Sequence, residues 1–426
     1  MKALSKLSLL VGTALVEFSR EILTEEGTST PAPTPGTTPS PTPAPAPAPA
    51  PTPAGQIPTD LMVASAPNAL AYDSAQTTFT TTHWLVTFPV IFGPDGTPEV
   101  RFSYDNVVVG DAPNRPGNNV YMDGMMLISP IGKSKSLAGY VTIPQNAQGV
   151  SEAFQPSDFG LTEWPRNQTW QGKAIMSVER AGDYLPGSLK IRGRENYSCT
   201  TMDARGGNQR PYFNECPIPQ IVSAKKEGAR SFLIAGHSWF KGTDTISGEL
   251  GSSFTLGMLV DIGEKAMAKN GVVIPFINAS RYGYTLQAAF DTVNDPWIKW
   301  APRVTDMIDG TGYNETGKGL AAVMDNHKRL WAAAKAANKT LRIHAMAIVG
   351  KDLHKITGGQ FPGQYDAFLE QSLKDGLIDG IIRLDSIRDP ADRNLIKPGF
   401  LDASDHPIPG VGVEAIAAEI RKLVFG

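Results

Sequence analysis

Twelve of the 34 prolines in this 426-residue chain fall between residues 28 and 58, in the run TSTPAPTPGTTPSPTPAPAPAPAPTPAGQIP. Alternating proline and alanine can neither join a hydrogen-bonded ladder nor fill a core, and they favour an extended polyproline II rod. At about 3.1 Å per residue, such a rod separates the two flanking parts of the chain by several tens of Å. A flexible tether fits the same composition. Either way the run divides the chain, and residues 59–426 must supply the folded body.

The segment before the run, residues 1–27, has two readings. Lys2 and Lys6 precede an apolar stretch from Leu7 to Val16, as in a signal segment, but Glu17, Arg20 and Glu21 come next without a small-x-small cleavage site. Leu4, Leu7, Val11, Ala14 and Phe18 fall on the alternating three-and-four spacing of a heptad seam. We favour an amphipathic anchoring or self-associating helix, with an atypical signal segment as the alternative. Barely three heptads long, such a helix needs a partner surface to be stable.

Balance of charge narrows the function classes. With 39 Lys+Arg against 42 Asp+Glu, the chain carries no basic field for phosphate backbones, so nucleic acid is not an expected partner. No apolar run reaches the roughly 18 residues of a membrane-spanning helix. Two cysteines, Cys199 and Cys216, are too few for a disulfide scaffold or a Cys-rich zinc module. They form one bridge, suited to an extracellular setting, or remain two buried thiols.

Residues 59–228 read as β-rich. WLVTFPVIF, VRFSYDNVVV, YMDGMMLISP, YVTIP and AIMSVER are short strand-like runs, separated by turn clusters such as GPDGTP and APNRPGNN. No long helical period interrupts them, so an all-β sandwich or jelly-roll-like accessory domain is expected.

From residue 229 to 426 the pattern changes. RSFLIAG, VVIPFINAS, LRIHAMAIVG and GIIRLDS alternate with helical stretches such as GLAAVMDNHKRLWAAAKAANK and the terminal GVEAIAAEIRKLVFG. Strand alternating with helix predicts a parallel sheet covered on both faces. Chemistry in such sheets sits at the carboxyl ends of the strands.

The residues at those ends form an ordered set: Gly236-His237-Ser238, then the Asn278–Thr285 stretch NASRYGYT with Gly283, then Gly312-Tyr313-Asn314-Glu315, and finally DASDHP from Asp402 to Pro407. Each type has a use in acyl transfer. Ser238 becomes a nucleophile if His406 takes its proton. A carboxylate, Asp402 or Asp405, would fix the imidazole. The N–H groups of Ser238 and Gly283 and the Asn314 amide are candidate oxyanion donors. No cofactor and no metal is required.

In these four blocks the sequence resembles the SGNH (GDSL-type) hydrolases, whose Ser, Gly, Asn and His occur in this order. The resemblance covers roughly residues 229–426 and implies a three-layer α/β/α core and serine esterase activity. It extends to secreted or phage-borne members with a β-rich domain ahead of the hydrolase. Two positions depart from the family pattern. His237 stands where the family has Asp, and Ala403 stands where its carboxylate usually lies, three residues before the histidine. Asp402 is preferred over Asp405, since a neighbour at −1 has difficulty turning back onto its own adjacent ring. A backbone carbonyl is the fallback.

The other histidines, His83, His327, His344 and His354, lack metal-ligand spacing and read as structural. GKDLH, from Gly350, reads as a substrate-side loop. The glycosylation sequons read as chance, since two of them, Asn278 and Asn314, fall inside these blocks. Trp164, Trp170 and Tyr212 are expected in core or edge packing rather than stacked on sugar. The leading expectation is an extracellular or virion-surface esterase acting on O-acyl groups of a polysaccharide or another cell-surface polymer. The alternative is a virion-surface fibre, decoration or receptor-binding protein whose hydrolase-like head is reduced or inactive, docked or self-associated through residues 1–27.

Overall fold

The computed structural model describes residues 60–66, 68–69, 74–77, 82–107, 118–137, 140–187, 198–202, 210–211, 217–241, 262–263, 265–280, 283–291, 295–349, 361–402, 405–408 and 410–426. The expected N-terminal helix and proline-rich rod lie outside the described residues, as do the GKDLH loop, Tyr212 and Cys216. The pairing of Cys199 with Cys216 therefore stays an expectation.

The strands that place the site are, in chain order, β1 (Leu61–Val63), β2 (Asn68–Ala69), β3 (His83–Phe92), β4 (Arg101–Asp105), β5 (Val120–Ile128), β6 (Gln148–Val150), β7 (Thr169–Val178), β8 (Gln220–Ala224), β9 (Phe232–Gly236), β10 (Phe276–Asn278), β11 (Asp306–Gly310), β12 (Arg342–Met346) and β13 (Gly380–Ile382). β1, β8, β4 and β6 form one antiparallel sheet in that order. A second antiparallel sheet is centred on β3, β7 and β5, with the long β3–β7 pair in register from Thr169 opposite Ile91 to Ser177 opposite His83.

The two sheets share a core because alternate residues point inward. Phe102, Tyr104 and Ile221 of the first sheet meet Trp84, Phe88, Val90, Met122 and Met176 of the second. Trp164 and Trp170 lie in this core, edge-on to each other at 5.3 Å and packed on Phe159 and Phe92. Packing, not an exposed sugar platform, accounts for them.

The remaining strands form a parallel sheet in the order β13–β12–β11–β9–β10–β2. Period-two alternation splits its side chains between two faces. Leu233, Ala235, Ile277, Met307 and Ile343 face one core; Phe232, Ile234, Phe276, Ile308 and Ile382 face another. The helices that flank this sheet include α1 (Ser238–Lys241), α2 (Leu286–Asp291), α3 (Pro296–Trp300), α4 (Leu320–Ala337), α5 (Phe361–Lys374) and α6 (Val411–Phe425). α3, α4 and α5 cover the first face, while α1 and α6 cover the second. This is a mixed α/β fold with helices on both sides of a parallel sheet, as the alternating pattern implies.

Three short strands near the start of the described residues link these three sheets. Leu61–Val63 joins the first, Ser65–Ala66 pairs with β3 in the second, and Asn68–Ala69 runs parallel to β10 at the edge of the third. The four-stranded sheet also presents Leu61, Val63 and Val222 to the core containing Trp297 and Trp300 of α3. A strand from the β-rich part of the sequence is thus built into the parallel sheet.

Candidate active site

β9 lies in the middle of the parallel sheet, and the chain leaves it first to β10 on one side and later to β11 on the other. Loops that depart in opposite directions open a crevice at the carboxyl end of the central strand. Ser238 comes just after that strand, as the first residue of α1.

Close packing holds it there. The Phe240 ring lies so near the ends of β9 and β11 that a Cβ on Gly236 or Gly310 would approach it to 2.6 or 2.3 Å. Glycine at both strand ends lets Phe240 seat α1 against the sheet. From the end of β10, the Asn278 side-chain amide donates to the Phe240 carbonyl at 3.1 Å.

Across the crevice, His406 Nε2 lies 2.9 Å from Ser238 Oγ. The two residues are 168 positions apart, and the loop before α6 supplies the histidine. Ser238 is buried and His406 half-buried. A hydroxyl and an imidazole nitrogen at this distance can exchange a proton, which makes the serine oxygen a nucleophile.

The two candidate carboxylates have different partners. Asp402 Oδ1 accepts from the His406 main-chain N–H at 3.0 Å, and the Asp402 N–H donates to the His406 carbonyl at 2.8 Å. Asp405 Oδ2 accepts from the Tyr313 hydroxyl at 2.6 Å.

The oxyanion candidates come from the flanking loops. Gly283 lies in the loop after β10 with φ of +63° and open space over its Cα. Asn314, in the turn after β11, donates its amide to the Tyr284 carbonyl at 3.0 Å, which ties it to the residue next to Gly283. The neighbouring Glu315 is fully buried. Its Oε1 accepts from the Gln287 N–H of α2 at 2.7 Å and from Asn326 of α4 at 3.3 Å, fixing one loop against the other.

His237, the departure beside the nucleophile, is buried. It stacks on Tyr313 with ring centroids 5.5 Å apart and meets Trp239 edge-on at 5.4 Å. Its Nδ1 accepts from the Trp239 N–H at 3.4 Å. Burial, reinforced by the charge His406 can carry, lowers its pKa to about 3 against a weaker opposing pull from Asp309. His237 is therefore a neutral ring at physiological pH.

Sequence reasoning missed the polar cluster beneath the third loop. Asp309, fully buried in β11, accepts from Thr311 N–H at 3.1 Å, Thr311 Oγ1 at 2.5 Å, His327 Nδ1 at 2.9 Å and Trp331 Nε1 at 2.7 Å. Burial pushes its carboxyl up, but the adjacent His327 and these hydrogen bonds hold it below the usual carboxylate range. His327 Nε2 in turn lies 2.9 Å from the Tyr365 hydroxyl. The signal was an acid inside the apolar run DMIDG together with His327 and Trp331 four apart on one helix face. His327 and His344, read from the sequence as structural, are each paired with a buried aspartate, Asp309 and Asp306. Among the described residues, no group of His, Cys, Asp and Glu could hold a metal, and no helix is long and apolar enough to cross a membrane.

A doubly covered parallel sheet with a serine–histidine pair at its topological switch point has the layout of an α/β hydrolytic site. No protein-family model matches the chain, and no curated protein matches it by sequence. Solved structures do resemble it. A Corynascus thermopiles (Myceliophthora fergusii) family 2 carbohydrate esterase with its carbohydrate binding domain matches over 83% of this chain and 97% of its own, at 12% identity and TM-score 0.37. A family two carbohydrate esterase from Cellvibrio japonicus matches over 85% and 96%, at 12% identity and TM-score 0.32. A candidate acylhydrolase from Bacteroides fragilis matches over 47% and 88%, at 12% identity and TM-score 0.34. GDSL-family lipolytic proteins and SGNH hydrolases are also among the similar structures.

Proposed function

We propose that the protein is a serine esterase that hydrolyses O-acyl esters, acetyl first among them, on a polysaccharide or other surface polymer outside the cell. The observation that carries the reading is the 2.9 Å approach of His406 Nε2 to Ser238 Oγ at the switch point of the sheet. In the first step Ser238 Oγ attacks the acyl carbonyl carbon as its proton passes to His406 Nε2. The oxyanion is held by the N–H groups of Ser238 and Gly283 and the second amide proton of Asn314. Removing one such donor typically costs about 2.7–4 kcal/mol of transition-state stabilisation.

Collapse of the tetrahedral intermediate expels the alcohol, which takes the proton from His406. Water, deprotonated by the same imidazole, then attacks the acyl-enzyme; the acid leaves as His406 returns the proton to Ser238 Oγ. Asp402 is assigned the orienting carboxylate; its place in the His406 loop supports this, through the paired contacts to the His406 main chain at 3.0 and 2.8 Å. The polymer substrate rests on architecture, a β-rich body and a proline-rich spacer ahead of the hydrolytic fold.

Release of acetate from acetylated xylan or acetylated bacterial polysaccharide, with p-nitrophenyl acetate alongside, tests the reading in wild type and Ser238→Ala. Wild-type release that disappears in a folded Ser238→Ala protein is the expected result. Equal turnover by the two proteins, or none on any of these esters, ends the proposal.

A further inference from the structure

Asp405 occupies an unusual place. It lies directly before His406, is buried, and has φ of +62°, in the left-handed region. Aspartate tolerates that region better than most side chains, but a non-glycine residue there must be held by its surroundings. Hydrogen bonds from two other loops hold it. The Tyr313 hydroxyl donates to its Oδ2 at 2.6 Å, and the Trp239 indole N–H donates to its main-chain carbonyl at 2.7 Å.

The donors come from two of the other loops of the site. Trp239 is the neighbour of the nucleophile and Tyr313 is the neighbour of Asn314. The rings are themselves fixed against one another: His237 stacks on Tyr313, and Trp239 lies 6.0 Å from Tyr313 and 5.4 Å from His237. A neutral His237 suits this bracket, because an acid in its place would offer no ring for Tyr313 to stack on. Nucleophile, base and oxyanion loops therefore meet at one residue.

We infer that Asp405 is a positioning residue: clamped by Tyr313 and Trp239, it sets where His406 Nε2 stands relative to Ser238 Oγ. This inference rests on the esterase reading. The clamp acts on distance and angle, and a displacement of about 1 Å at such a pair can cost on the order of a hundredfold in rate. The competing role for Asp405 is that of orienting carboxylate to the imidazole. The two roles give opposite results in a short variant series.

Kinetics of p-nitrophenyl acetate hydrolysis by full-length wild type, Tyr313→Phe, Asp405→Asn and Asp405→Ala, each below its melting transition, separate them. Tyr313→Phe keeps the ring on His237 and removes only the hydroxyl; its kcat is expected to fall about tenfold or more with KM within about twofold. Asp405→Asn keeps an acceptor oxygen and the tolerance for positive φ, so it is expected to recover most of the kcat that Asp405→Ala loses. A shift in stability alone, with kcat of Tyr313→Phe at the wild-type value, overturns the clamp. So does an Asp405→Asn protein as slow as Asp405→Ala, near the about 10⁴-fold loss expected for a removed orienting acid. A wild type without hydrolysis removes the esterase reading and the clamp together.

Discussion

Two buried polar regions of this molecule are built on opposite terms. At the carboxyl end of β11, Asp309 is saturated, with four hydrogen bonds from Thr311, His327 and Trp331. Between the four-stranded sheet and α3, Arg303 is just as buried, yet its three guanidinium nitrogens have no hydrogen-bond partner among the described residues. Arg303 lies over the Trp300 ring at 4.9 Å, and Lys299 Nζ reaches Asp105 only at 3.8 Å. Gln148, Gln220 and Ser103 on the facing strands also carry buried polar atoms without partners among the described residues.

The contrast separates two jobs. Beneath the loops of the candidate site, polar groups fix position, which a directional and fully satisfied cluster does well. At the junction, apolar contacts of Leu61, Val63, Val222, Trp297 and Trp300 hold the parts together. Trp300 Nε1 donates to Asp105 Oδ2 across the junction at 3.1 Å, but the unsatisfied groups around it add desolvation cost with little return.

The largest effect should come from breaking the saturated cluster. Asp309→Ala strips the acceptor from His327 and Trp331 and is expected to cost about 3–5 kcal/mol in urea unfolding, the range for one removed partner of a buried pair. A loss under about 1 kcal/mol would erase the distinction between the regions.

A pH effect comes next. His237 has a folded pKa of about 3 against 6.5 for the free side chain. Between those values the unfolded chain binds the extra proton, so this residue's share of stability rises with pH and is lost as pH falls. Below about pH 4, the lowered carboxyl of Asp309 begins to act in the same direction. Melting curves from pH 6.5 to 4 should therefore fall less steeply for His237→Gln than for wild type. Parallel slopes would mean that the buried ring does not resist protonation.

The smallest effect is expected at the junction. Arg303→Met removes a buried charge that has no hydrogen-bond partner among the described residues, while keeping an apolar side chain beside Trp300. Its melting temperature should stay level or rise, by an amount worth no more than about 1–4 kcal/mol. A clear loss of stability would show that the guanidinium holds the junction after all.

Much of the parallel-sheet half was legible in the sequence. Alternating strands and helices specify the parallel sheet, and the order of loops after β9, β10, β11 and before α6 brings Ser238 within 2.9 Å of His406. The choice between the two aspartates was harder to read. Chain spacing disfavours a −1 neighbour as the imidazole's partner, but it carries no sign that Asp405 is left-handed and turned toward Tyr313. The Asp309 cluster depends on side chains 18 and 22 positions away that meet only once α4 packs on the sheet. The stitching of three sheets by residues 61–69 was equally hidden, since strand pairs of two or three residues leave no periodic trace.

Covalent labelling reads directly whether His406 makes Ser238 a nucleophile. Full-length wild type and His406→Ala are treated with a fluorophosphonate, and the modified residue and its rate of formation are read by mass spectrometry. One adduct is expected, on Ser238, formed at least about a hundredfold more slowly without the imidazole. An adduct on another side chain, or equal labelling rates in the two proteins, would contradict that role for His406.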